Sequence, residues 1–148
     1  MKTNFTKKEI PKISKKILNK ILKIKNKKAK VVALSGELGA GKTTLTQELA
    51  KQLGVKDNII SPTFVIMKIY DINPMSKYHS YFKKLIHIDA YRLDSHEELL
   101  KIGWSELIED KNNLIIIEWP ERVRGCLNDD IYWIKLGHID DQTRVFEF

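Results

Sequence analysis

Residues Gly36 to Thr43 read Gly-Glu-Leu-Gly-Ala-Gly-Lys-Thr and follow directly on the apolar run Val31, Val32, Ala33, Leu34. They match the pattern G-x-x-x-x-G-K-[ST] at every fixed position. A β-branched strand that enters a Gly-rich turn and leaves it as a helix constrains the fold strongly. The turn points several backbone N–H groups inward, and the helix N-terminus beside them favours negative charge. Gly36, Gly39 and Gly41 supply the backbone freedom for that curl. Thr44 to Leu53 continue as the helix, and Gly54 is placed to stop it. The segment therefore reads as a phosphate-binding loop, and a nucleoside triphosphate is its expected ligand. Glu37, Leu38, Gly39, Ala40, Gly41, Lys42, Thr43 and Thr44 form the nucleotide-binding stretch. Lys42 is expected to reach the β- and γ-phosphates, and the Thr43 hydroxyl to ligate Mg²⁺.

The chain has 148 residues, enough for one domain that buries roughly 68–70% of its unfolded surface without a disulfide or structural metal. Cys126 is the only cysteine, which excludes an internal disulfide and a Cys-rich zinc site and suits a reducing compartment. No apolar run reaches membrane length, and the Lys-rich start lacks a signal-peptide core. A soluble, cytoplasmic protein with no membrane association is expected. The net charge of +7 is unevenly placed: residues 1 to 30 hold twelve Lys and one acid, Glu9, a balance of +11 that leaves −4 for the remainder. Such a segment suits RNA or an acidic protein surface. It equally suits a solvated helix face in a chain rich in Lys, Ile and Asn.

Ile10, Ile13, Ile17, Ile21 and Ile24 recur at three- and four-residue steps, which predicts an amphipathic helix over about residues 12–25 packed on the body. Phe64 to Tyr70 predicts a strand, and Asp71 to Ser80, with Asn73-Pro74, a loop. Leu85 to Ile88 reads as a short strand ending at Asp89, and Ser95 to Glu98 as a helix start, with Gly103 ending that helix. Leu114 to Ile117 are four consecutive apolar residues, as in a strand covered on both faces. Strands near Ile131 to Leu136 and Arg144 to Phe148 predict an antiparallel hairpin at the sheet edge. The expectation is one α/β domain over residues 1–148 with a P-loop NTPase fold. Its sheet is mixed but mostly parallel, is flanked by helices, and carries the antiparallel hairpin at its C-terminus.

Hydrolysis of a bound nucleotide also needs a carboxylate that holds the metal's water shell or orients the attacking water. Asp89 and Glu118 each end an apolar strand and are the two candidates. Asp129-Asp130 and Asp140-Asp141 lie in polar, turn-like runs and read as solvated.

Four stretches in order, Ser35 to Thr44, Ser61-Pro62-Thr63-Phe64, His87 to Leu93 and Ile117 to Arg122, resemble the motif set of the TsaE (YjeE) family. These are bacterial P-loop ATPases required for the threonylcarbamoyl modification of adenosine 37 in tRNAs that read codons beginning with A. The resemblance runs from about residue 31 to 122 and includes Glu97-Glu98-Leu99 before Gly103. It implies that Lys42 and Thr43 bind phosphate and Mg²⁺, and that Asp89 and Glu118 complete the metal and water site. Thr63 would lie in a switch-like segment that senses the γ-phosphate. Trp119 would shape the nucleotide pocket or a rim facing a partner, unless it is simply core. Tyr91 and Arg92 would contact partners or fix the Asp89 loop.

The resemblance also implies the task and the partners. Proteins of this family do not attach threonylcarbamoyl; they assist a TsaB–TsaD heterodimer in which TsaD performs the transfer, and tRNA is reached through that complex. The ATPase is weak alone and stimulated by the complex. The Lys-rich start and the polar, aromatic Asp71 to Lys84 connection depart from the family's pattern. A small-molecule kinase is the first rival, but Arg92, Arg122, Arg124 and Arg144 form no lid-like cluster. Asn26-Lys27-Lys28-Ala29 lacks the Asp of a guanine-selecting motif and precedes the P-loop. A module whose partner docking is gated by the nucleotide is the other class of reading.

Overall fold

The computed structural model describes residues 2–147. The unbroken apolar runs dictate its centre. Strands β2 (Lys30–Ser35), β4 (Lys84–Asp89) and β5 (Asn113–Glu118) lie parallel side by side with β5 in the middle. Every residue of β5 is buried, because helices cover both faces of the sheet. Among the described residues the seven strands run in the order β1 (Lys2–Thr6), β7 (Thr143–Glu147), β6 (Tyr132–His138), β2, β5, β4 and β3 (Met67–Asp71). The sheet is mixed, mostly parallel at its centre and flanked by helices.

One face is covered by α1 (Ile10–Ile21) and α2 (Lys42–Leu53). The other packs on α3 (His96–Lys101), α4 (Trp104–Glu109) and a 3-10 stretch, Pro120–Cys126. The isoleucine stripe is core: Ile13, Ile17 and Ile21 are buried with Leu18 against the sheet, each contributing about 1.5–3 kcal/mol. Lys12, Lys15, Lys16 and Lys20 occupy the exposed side of α1.

Several expectations need correction. The first helix is not at 12–25 but at Ile10–Ile21: Pro11 starts it, and Ile24 lies beyond its end. Before it stands a strand that the pattern did not indicate, β1 (Lys2–Thr6), paired antiparallel with β7 (Thr143–Glu147). Phe5 fixes this pairing by packing edge-on against Phe146, with ring centroids 5.6 Å apart. The C-terminal hairpin of β6 (Tyr132–His138) and β7 is therefore not at the sheet edge. β6 pairs parallel with β2, and β1 covers β7. The expected end of the hairpin at Phe148 lies outside the described residues.

The expected strand from Phe64 starts only at Met67, as β3 (Met67–Asp71). Residues 63–66 turn instead, and Ile66 has φ 67°, an uncommon backbone for a β-branched residue. The loop after β3 contains a 3-10 turn, Lys77–Ser80. Gly103 does end α3, yet at φ 99° it also turns the chain straight into α4. Among the described residues no helix is long and apolar enough to cross a membrane.

Candidate functional site

Three parallel strands deliver the site, because their C-terminal ends lie at one edge of the sheet. In register, Leu34, Glu118 and Asp89 form one row across β2, β5 and β4. Alternation along each strand places this row on the face covered by α2, where Val32, Ile116 and Leu85 are core. The two candidate carboxylates are thus neighbours, and each is only 3% exposed.

The P-loop leaves the end of β2 beside them. Gly36 is required here by contact as well as conformation: at φ 146° a Cβ would stand 2.4 Å from the Leu136 carbonyl oxygen of β6. The loop ends at Gly41, which caps α2 without any side-chain hydrogen bond. The first N–H groups of a helix lack intrahelical partners, so this N-terminus presents free donors toward the cleft.

The candidate side chains are mutually satisfied. Thr43 Oγ1 donates to Glu118, with Oε1 at 3.1 Å and Oε2 at 3.2 Å. Thr63 and Ser61 both donate to Asp89 Oδ2, at 2.8 and 3.2 Å, and Asp89 Oδ1 accepts the Tyr91 N–H at 3.0 Å. Lys42 bends back onto its own loop, donating to the carbonyls of Gly36 and Glu37. Its ammonium lies 4.1 Å from the centroid of the Trp119 ring, a cation–π contact. Burial pushes the Lys42 pKa below its ordinary value, opposed by the negative charges of Glu118, Asp89 and Glu121.

Trp119 is half-buried, lining the cleft while it also packs against the core. Its left-handed backbone, φ 57° and ψ 48°, lets the chain turn sharply after β5, and its ring contacts Tyr91 at a centroid distance of 5.1 Å. The cleft holds about 370 Å³ and is lined by Leu38, Gly39, Gly41, Lys42, Thr43, Thr44, Thr63, Asp89, Tyr91, Glu118 and Trp119, together with Ser61. Three expected residues stand back from it. Ala40 is fully buried beneath the loop, Glu37 offers its carbonyl to Lys42, and the Arg92 guanidinium lies 4.5 Å from the centre of the exposed Phe64 ring.

Sequence reasoning gave no role to two groups. Ser61 shares Asp89 with Thr63, and its hydroxyl two residues before Thr63 was the available signal. His87 is fully buried with Nε2 2.7 Å from Glu118 Oε1. Its marks were a polar residue inside the apolar run Leu85 to Ile88 and its place at the start of the motif stretch His87 to Leu93.

A parallel-centred sheet with this loop at the end of β2 and two carboxylates at the ends of adjacent strands defines a protein of the P-loop NTPase class. Residues 6–146 match the family model described as threonylcarbamoyl adenosine biosynthesis protein TsaE. The chain belongs to the TsaE family. The tRNA threonylcarbamoyladenosine biosynthesis protein TsaE of Rickettsia felis is 36% identical over 131 residues, 88% of this chain and 71% of that protein. The Haemophilus influenzae protein of the same name is 33% identical, covering 88% of this chain and 77% of that one. The Borreliella burgdorferi protein is 38% identical over 118 residues, 80% of each. In fold, the chain is similar to the crystal structure of Bacillus subtilus YdiB, with a TM-score of 0.69 and 24% identity over 99% of this chain and 82% of that one.

Proposed function

We propose that this chain is a cytoplasmic ATP-binding and ATP-hydrolysing protein that supports a TsaB–TsaD heterodimer. That complex forms N6-threonylcarbamoyladenosine at position 37 of tRNAs reading codons that begin with A. The transfer itself belongs to the partner, and tRNA is engaged through the complex. One observation carries the reading: Lys42, Thr43, Asp89 and Glu118 converge on a single cleft at the uncapped N-terminus of α2.

The residues present fit Mg²⁺ and ATP. The Thr43 hydroxyl and the two carboxylates are hard oxygen donors of the kind Mg²⁺ takes. Among the described residues no group of three or more His, Cys, Asp or Glu is placed to hold a metal alone. That suits Mg²⁺, which ordinarily completes its shell with substrate phosphates and water. When bound, Mg²⁺ neutralises charge on the β- and γ-phosphate oxygens.

The chain's own groups do the remainder. Lys42 leaves the Gly36 and Glu37 carbonyls for the phosphates, and the backbone N–H groups of the loop hold the triphosphate in line. Glu118 orients a water toward the γ-phosphate. Thr63 and Ser61, tied to Asp89 without ligand, belong to a loop that responds to the γ-phosphate and so couples occupancy to partner docking. Tyr91 and Trp119 form the aromatic wall of the cleft. The product is a conformational cycle that allows the partner repeated turnover.

ATP turnover with and without the TsaB–TsaD complex and tRNA tests the reading. Slow turnover alone and strong stimulation by the complex are expected. Glu118→Ala should cut the stimulated rate by about 10²–10⁴-fold and spare most of the ATP binding. Retained stimulated turnover in that variant would remove Glu118 from its role. Absence of stimulation in the unaltered protein would favour an autonomous ATPase or a kinase.

A further inference from the structure

His87 stands one row below the carboxylates. In register its neighbours are Ile116 of β5 and, beyond it, Val32 of β2, both fully buried and apolar, with the exposed Lys68 of β3 on the other side. An aliphatic side chain would fill this place without desolvating anything. The imidazole is wholly buried, and its Nδ1 has no hydrogen-bond partner. Burying a ring nitrogen unsatisfied is unfavourable, so packing alone does not account for a histidine here. Its other nitrogen does: Nε2 is 2.7 Å from Glu118 Oε1. An ionised carboxylate can only accept, so Nε2–H is the donor.

Glu118 thus receives two donors of different character. Thr43 is part of the P-loop and lines the cleft. Its hydroxyl faces the proposed ligand site, so its geometry toward Glu118 would follow whatever the site binds. His87 lies behind the carboxylate, lines no part of the cleft and cannot reach a ligand. It is the donor whose position does not depend on a ligand.

We propose that His87 is a positioning residue, which fixes the Glu118 carboxylate through Nε2 from behind the cleft. This rests on the reading of Glu118 given above. A glutamate has three side-chain torsions, and a group that orients a reacting water must be held to within about 0.5 Å. The β4 residue supplies that restraint from the neighbouring strand.

The test compares wild type, His87→Leu and His87→Gln in equilibrium ATP binding, thermal midpoint, and kcat and KM of the partner-stimulated reaction. Leu fills the space without a donor, whereas Gln can place an amide N–H near the position of Nε2. His87→Leu is expected to lower kcat by about 10- to 100-fold, with ATP affinity and KM close to wild type, and His87→Gln to recover most of the loss. If the Leu variant does not fold, His87→Met supplies the same donor-free comparison. Equal kcat in all three proteins overturns the proposal. So does an equal loss in the Leu and Gln variants, which marks a ring needed only for packing. A wild type without stimulated hydrolysis overturns the functional reading first, and this inference with it.

Discussion

Thr63 Oγ1 donates to Asp89 Oδ2 at 2.8 Å, so the loop between α2 and β3 is held by a carboxylate at the end of β4. Ser61 reinforces the same oxygen, and Asp89 also fixes its own turn through the Tyr91 N–H. Asp89, Glu118 and Lys42 thus all have partners within the chain.

Thr63→Val keeps the side-chain shape and removes the hydroxyl. Loss of one hydrogen bond to a charged, buried acceptor should destabilise the nucleotide-free protein by about 1–2 kcal/mol, a fall of a few degrees in thermal midpoint. Stimulated ATP turnover should fall as well, because the loop loses its link to the carboxylate. An unchanged midpoint together with unchanged turnover would contradict the role given to this bond.

Gly36→Ala tests how closely the P-loop is seated on β6. The added Cβ would meet the Leu136 carbonyl oxygen at 2.4 Å in a backbone region that L residues rarely adopt. A loss of stability on the order of 2–4 kcal/mol is expected in urea denaturation, with impaired ATP binding from the displaced loop. Wild-type stability with wild-type binding would show that the seating is looser than described.

Tyr132, at the start of β6, makes an alkaline prediction. Burial pushes its pKa up to about 12, against about 10 for an unfolded tyrosine. The folded protein keeps a proton that the unfolded chain releases in this window. The resulting contribution to stability is complete below pH 10 and is lost as pH rises through 12. Urea denaturation of wild type and Tyr132→Phe should therefore show a steeper loss in the wild type between pH 10 and 12, by up to about 2 kcal/mol. Parallel pH dependences would exclude Tyr132 as the cause.

The centre of this fold was legible because it consists of local signals. Continuous apolar runs marked β4 and β5, and the P-loop pattern tied β2 to α2 in one unit. Strand β1 was not legible: Phe5 is its only buried residue, and its stability comes from pairing with β7 at the opposite end of the chain. The same long-range pairing moved the hairpin off the edge. Ile66 and Trp119 adopt left-handed backbone conformations that tertiary contacts impose and composition does not reveal. For the site, motif residues announced Lys42, Thr43, Asp89 and Glu118. His87 opens a motif stretch, but its partner lies 31 positions away on the neighbouring strand, so its pairing with Glu118 was not legible.

Equilibrium binding of ATP with Mg²⁺ to the wild-type protein and to Lys42→Ala, followed by calorimetry, examines the cleft itself. Lys42 should exchange the Gly36 and Glu37 carbonyls for phosphate oxygens, and a charge-assisted hydrogen bond contributes about 1.5–3 kcal/mol. The wild type should bind saturably at one site, and the variant about 10- to 100-fold more weakly. Absence of saturable binding, or equal affinity in the two proteins, would contradict the assignment of this cleft as a nucleotide site.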